Sequence, residues 1–307
     1  MGDIKLFDIS GEKAYELKGA AVVIERSLQE IIEHNTESLL GITFLASEYT
    51  TGKKHSGRID TLGIDENYSP VILEYKRATN ENVINQGLFY LDWLMDHKAE
   101  FELLVMKKVG KEVSDKIDWK TPRLLCIAGG FTRYDEYAVQ QINRNIELYR
   151  YKQFDNQYLM LDLINATVAK NAESYVNQKS SSSTANHPIQ LTVNENIEKA
   201  GQELTELYHE LYDYLDALGD DVQVKELKYY IAFKRIKNFV CVEVYPKQNK
   251  IQLYVKVDLT QVNFESSFTR DVTNVGHYGT GNLSITIKNQ HDLEKAKPYI
   301  EESYNNN

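Results

Sequence analysis

The chain has 307 residues, 42% hydrophobic and 26% charged, with a formal net charge of −10. This is the composition of a globular protein with room for two domains, and it contains no run of about eighteen apolar residues to cross a membrane. The charge is shared evenly, −5 over residues 1–172 (21 Lys and Arg against 26 Asp and Glu) and −5 over the rest (14 against 19), so neither half is suited to coating nucleic acid without a local basic track.

The first seventeen residues have no basic segment followed by an apolar one, and a secretory signal is not expected there. Residues 3–19 read as a strand or two with a turn at Gly11. A helix is expected over 19–40, with Val23, Leu28, Ile31, Ile32, Leu39 and Leu40 as its apolar stripe and Glu25, Glu30, Glu33 and Glu37 as its carboxylates. Residues 42–50 form the next strand, with Glu48 able to border a site. The loop TTGKKHSG carries Lys53, Lys54 and His55 and leads to Arg58. It reads equally as a phosphate clamp or as a solvated hairpin tip; His55 has no partner at metal-ligand spacing.

Two short apolar runs, 58–64 and 70–76, flank the polar segment 65–69 in the pattern of a β-hairpin. A loop centred on Asn67 sets Asp60 across from Glu74. Strand alternation puts Ile72, Glu74 and Lys76 on one face, so Asp60, Glu74 and Lys76 converge. Two facing carboxylates repel, and a divalent cation between them would remove the repulsion. Lys76 would then sit beside a metal-bound water, which it could orient or deprotonate. Arg77, on the other strand face, reads as structural or backbone-contacting. A helix over 80–107, capped by Asn80, follows. It carries Gln86 and Tyr90 one turn apart, with the Gln86 amide able to reach the same cluster, and Phe89, Trp93 and Leu94 as core.

Further on, 123–130 is a buried strand, 134–146 a helix, and 146–154 and 158–164 two more strands. Cys126 and Cys241 lie in separate apolar runs and read as buried free thiols of a reducing, cytoplasmic protein. Residues 173–195 are serine-rich and form a linker between a first domain over 1–172 and a second over 196–307. The second domain reads as α+β: a helix over 197–218, alternating antiparallel strands, and a helix over 291–304. Lys225, Lys228, Lys234, Arg235 and Lys237 suggest a positive patch, and His277 a structural loop histidine.

Asp60, then Glu74-x-Lys76, then Gln86-x-x-x-Tyr90 resembles the PD-(D/E)XK nuclease superfamily, in its RecB-like form with a QxxxY helix. The likeness is nearest to NucS/EndoMS-type domains and to uncharacterised proteins in which GRIDTLGID and EYKR precede a small domain of unknown function. It covers about residues 18–110 well; the superfamily's leading Pro-Asp is Ile59-Asp60 here. The resemblance implies a fold, α/β to α+β, with a restriction-endonuclease-like mixed sheet flanked by helices, and a smaller α+β domain with an antiparallel sheet. It implies an Mg²⁺- or Mn²⁺-dependent deoxyribonuclease in DNA repair or defence against foreign DNA. Asp60, Glu74 and a glutamate of the first helix (Glu25, with Glu33 second) would hold the metal, and Lys76, Gln86 and Tyr90 would serve catalysis. Lys53, Lys54, Arg58 and Arg77 would meet the DNA. Many relatives work as homodimers, and the C-terminal domain would choose a substrate or a protein partner. The competing reading is a catalytically silent nuclease-like module for binding or assembly.

Overall fold

A computed structural model describes residues 4–20, 25–52, 57–77, 82–169 and 192–307. The chain divides into two compact units, Met1–Val176 and Asn177–Asn307. Lys53, Lys54, His55, Asn80, Glu81 and most of the expected linker lie outside the described residues.

The first unit opens with β1 (Leu6–Asp8), β2 (Tyr15–Leu17) and β3 (Gly19–Ala20), followed by α1 (Glu25–Glu33) and α2 (Thr36–Leu40). β1 pairs antiparallel with β2. The single helix expected over 19–40 is thus a strand end and two helices. Its break has a local cause. His34 Nδ1 lies 2.6 Å from the Glu30 carbonyl and Asn35 Nδ2 donates to the Ile31 carbonyl at 2.8 Å, so two side chains terminate α1.

Next come β4 (Ile42–Thr50), β5 (Arg58–Asp65), β6 (Pro70–Lys76), α3 (Val83–Asp96), α4 (Lys98–Lys108) and α5 (Lys111–Ser114). The helix expected over 80–107 is also interrupted. His97 Nδ1 lies 2.7 Å from the Trp93 carbonyl and its ring stacks on Trp93 at 4.5 Å, which closes α3 before α4 restarts. The unit ends with β7 (Arg123–Ala128), α6 (Arg133–Gln140), β8 (Asn145–Phe154) and β9 (Tyr158–Thr167). α6 is shorter than the helix expected over 134–146, because Asn145 already pairs with Arg123 as β8 joins β7.

These strands make one mixed sheet in the order β3-β8-β7-β6-β5-β4, with β9 on β8; β6–β7 and β7–β8 are parallel and the other pairs antiparallel. The buried runs Val71–Leu73 of β6 and Leu124–Ala128 of β7 read as continuous apolar sequence for this reason. α3 packs on β6 and β7, burying Leu91, Trp93 and Leu94 with Leu62, Ile72, Leu124 and Leu148. Phe89, expected in this core, is 46% exposed on the outer side of α3.

The hairpin turn is tied down from a distance. Asp65 Oδ1 accepts the N–H groups of Asn67 and Ser69 at 2.8 Å each, and its Oδ2 accepts from Arg123 at 2.9 Å. Arg123 is buried and forks onto Glu147 at 2.7 and 2.9 Å. Tyr149 donates to the same carboxylate at 2.9 Å. A buried guanidinium with two carboxylates fixes the hairpin's register against β7 and β8.

The second unit comprises α7 (Val193–Glu198), α8 (Gln202–Asp216), β10 (Gln223–Glu226), β11 (Ile231–Lys234), β12 (Asn238–Tyr245), β13 (Lys250–Val255), β14 (Thr269–Asp271), β15 (Leu283–Ile287) and α9 (Gln290–Asn306). The helix expected over 197–218 is two, α7 and α8. The sheet is antiparallel throughout, in the order β10-β11-β12-β13-β15-β14. Leu204, Leu211, Val242, Leu253, Ile285 and Ile300 join the helices to one sheet face in a single core. The basic residues near β11 do not form one patch: Lys234 is buried, and Arg235 binds Asp221 at 2.7 Å. His277 stacks on Tyr254 at 4.3 Å, a packing role as expected. The mixed sheet flanked by helices and the antiparallel C-terminal sheet are the expected fold class. No helix of the described residues is long and apolar enough to cross a membrane.

Candidate active site

The β5–β6 ladder runs from Ile64 opposite Pro70 to Thr61 opposite Leu73, and the next pair in that register is Asp60 with Glu74. There the side chains take over from the backbone ladder. The Asp60 N–H donates to Glu74 Oε1 at 3.2 Å, and the Tyr75 N–H donates to Asp60 Oδ2 at 3.0 Å. Glu74 is fully buried, and its second oxygen, Oε2, has no hydrogen-bond partner.

Burial, then the nearby charge of Asp60, pushes the Glu74 carboxyl up to about 9, against the opposing Asp60 N–H and Lys76. Asp60 is also raised, by burial first; the Tyr75 N–H and Lys76 oppose this, and Glu25 and Glu48 add to it. At neutral pH Glu74 therefore carries a proton. A buried carboxyl oxygen without a partner, beside a second carboxylate, is the donor set a hard divalent cation would complete by replacing that proton. Among the described residues no three His, Cys, Asp or Glu side chains are grouped to hold a metal. A cation here would take two carboxylates, with water and substrate filling the remaining positions, which suits Mg²⁺.

Lys76, two residues on from Glu74, is half-buried and donates to Glu25 Oε1 at 3.1 Å. Burial pulls its pKa down, but the bond and charge of Glu25, with Asp60 and Glu74, outweigh burial and raise it. Lys76 is a cation here. Glu25 stands in the first described turn of α1 and reaches the cluster through that pair. Glu33 does not: it accepts from Thr61 Oγ1 at 2.5 Å and Gln29 at 2.9 Å, and Thr61 accepts from buried Tyr75.

Gln29 is a residue that sequence reasoning missed. It is buried in α1, and its amide donates to the Asp60 carbonyl at 2.9 Å and to Ser47 Oγ at 3.2 Å, so it holds the strand on which Asp60 sits. The one available signal was a polar residue one turn from Glu25, amid the apolar stripe. Glu48 holds the β4 position across from Asp60, between the pairs Ser47–Thr61 and Tyr49–Ile59. Its φ is 52°, in the left-handed region. It forms an ion pair with Arg58, which is thus engaged within the protein.

Tyr90 is buried, and its hydroxyl accepts the Arg58 N–H at 3.1 Å and the Gln86 amide at 3.5 Å. Gly57 permits this approach, since a Cβ there would lie 2.5 Å from the Tyr90 ring. Tyr90 therefore anchors the start of β5. Gln86 is half-buried and, among the described residues, makes no hydrogen bond to Asp60, Glu74 or Lys76. Arg77 is exposed just past the end of β6. Cys126 is aligned with Glu74 across the β6–β7 ladder, and both cysteines are buried and free, as expected.

A solved structure of an EndoMS complex with double-stranded DNA matches with a TM-score of 0.25 and 20% identity, over 43% of this chain and 46% of that one. The match spans less than half of that protein's length. An uncharacterized protein of Haemophilus influenzae is 27% identical over 305 residues, 98% of this chain and 99% of that one. Residues 193–307 match the model of a domain of unknown function, DUF5655, which spans α7 to the end of α9.

Proposed function

We propose that the N-terminal unit is a metal-dependent nuclease that hydrolyses DNA phosphodiester bonds, with Mg²⁺ or Mn²⁺ held by Asp60 and Glu74. The observation that carries this reading is the unpartnered, buried Oε2 of Glu74 beside Asp60. A binding or assembly module gains nothing from two facing carboxylates, one of them protonated by burial. When bound, the cation would neutralise phosphate charge and lower the pKa of its water.

The protein's own groups supply the rest. Lys76, kept charged by Glu25, donates hydrogen bonds to the attacking water or a phosphate oxygen and balances the charge that develops on phosphorus. As a cation it orients the water and does not deprotonate it. Gln29 and Tyr90 hold β5 so that Asp60 keeps its position. The Gln86 amide lies one turn from Tyr90, where it would orient a water or phosphate oxygen. The C-terminal unit would set substrate or partner choice.

The test is cleavage of labelled single-stranded, duplex, flapped and mismatched DNA with Mg²⁺, Mn²⁺ or EDTA. Cutting that needs metal and is lost in Glu74→Gln and Lys76→Ala is the expected result. The silent-module reading draws on the net charge of −10 and on Lys76 and Arg58 being paired internally. It stands if no substrate is cut and divalent metal gives no thermal stabilisation.

A further inference from the structure

α6 has no part in the chemistry above, yet it presents an unusual surface. Tyr134 is 86% exposed and Tyr137 is 69% exposed; Tyr134 is the most exposed large apolar or aromatic side chain among the described residues. They are three apart on a helix and so share one face of it, and Arg133 beside them is exposed too. Among the described residues neither ring makes a hydrogen bond or a ring contact. The helix is fixed by other groups, with Val139 buried and a capping box between Thr132 and Asp135.

Their place in the sheet gives them a use. β6 and β7 are parallel, and Lys76 pairs with Ala128 at their common end. Directly beyond, Gly129 lies so close to the Arg77 carbonyl that a Cβ there would be 2.7 Å from its oxygen. α6 starts four residues after that contact. α6 is the crossover between the parallel strands β7 and β8, so it starts at the strand end that holds Lys76 and Ala128, and the Glu136 carbonyl ties it to β9 by accepting from Asn165 at 3.0 Å. Arg77, and the first turns of α6 with Arg133 and the two tyrosines, therefore follow directly on the ends of β6 and β7, at the end of the sheet where Lys76 closes its strand.

We propose that Tyr134 and Tyr137, with Arg133, form a stacking platform that receives a single DNA strand and delivers it to the Asp60–Glu74 site. The proposal rests on the nuclease reading and adds its substrate class. A chain of net charge −10 gains little from long-range attraction to phosphate. Stacking on aromatic rings supplies affinity without charge, and only unpaired bases offer their faces. Arg77 and Arg133 would meet the phosphates between stacked bases.

The experiment is fluorescence anisotropy of the full chain in EDTA, with one labelled oligonucleotide offered as a single strand and as a duplex. The wild type should prefer the single strand. Tyr134→Ala with Tyr137→Ala should weaken single-strand binding by about tenfold or more and leave duplex binding unchanged, while the corresponding Phe pair keeps the affinity. Equal loss on both substrates, less than twofold loss on the single strand, or no binding to either by the wild type overturns the platform. The two readings fail separately. Metal-dependent cutting with unaltered binding in the Ala pair sinks the platform alone. Selective loss of strand binding in a protein that cuts nothing sinks the nuclease alone.

Discussion

Glu74 Oε1 accepts the backbone N–H of Asp60 at 3.2 Å, and the same carboxyl group leaves Oε2 buried with no partner. The ladder has handed its next rung to side chains, and the result is a buried carboxylic acid. The sign of its effect on stability is fixed. Its folded pKa of about 9 lies above the unfolded value of 4.5, so its contribution is fully present below pH 4.5 and is lost as pH rises towards 9. The metal-free wild type should therefore lose stability relative to Glu74→Gln across that window. Urea midpoints of the two proteins from pH 5 to pH 9 measure the difference. Parallel curves would mean that Glu74 ionises normally.

A cation that displaces the Glu74 proton must release it. Calorimetric titration with Mn²⁺ at pH 7, in two buffers of different ionisation enthalpy, should report about one proton lost per cation bound. At saturation a hundredfold above Kd the metal should stabilise the wild type by about 2.7 kcal/mol and Glu74→Gln hardly at all. Equal enthalpies in both buffers would show that the proton was never there.

How far this site could be read from the sequence depends on the range of the forces that build it. The hairpin register was legible because strand alternation and a symmetric loop fix which residues oppose. Gln29 was not legible, since two of its contacts, Ser47 and the Asp60 carbonyl, belong to strands that only the tertiary fold brings to α1. Arg123 heads the apolar run RLLCIA and reads as a strand edge until Asp65 and Glu147, 58 and 24 residues away, bury it. The helix ends at His34 and His97 were hidden for a different reason: side chains claim last-turn carbonyls there, with no glycine or proline to mark the break.

Arg123→Leu should be among the costliest single changes in the N-terminal unit. It leaves Asp65 and Glu147 buried without their counter-charge, a loss of about 3–5 kcal/mol. A fall in the urea midpoint at unchanged m-value is the readout. A loss under 1 kcal/mol would mean that water enters to replace the guanidinium.

Tyr90→Phe removes one hydroxyl and frees the Arg58 N–H at the start of β5. The cost should be about 1–3 kcal/mol, the penalty for a backbone donor left without its acceptor. Gly57→Ala should act on the same contact by pushing the ring aside, so the two changes combined should cost less than their sum. A double-mutant cycle decides it, and strict additivity would separate Gly57 from Tyr90.

Glu25→Gln tests what Lys76 contributes. The Glu25 bond and charge raise the Lys76 pKa against burial, so their removal lowers it. If the Lys76 cation serves cleavage, the basic limb of the kcat/KM profile should move to lower pH in Glu25→Gln, while activity near neutrality changes less. A carboxylate that held the metal instead would show itself differently. Its loss would weaken Mn²⁺ binding in the calorimeter and depress activity at every pH. The two roles for Glu25 therefore separate on one pair of measurements, made on the same variant.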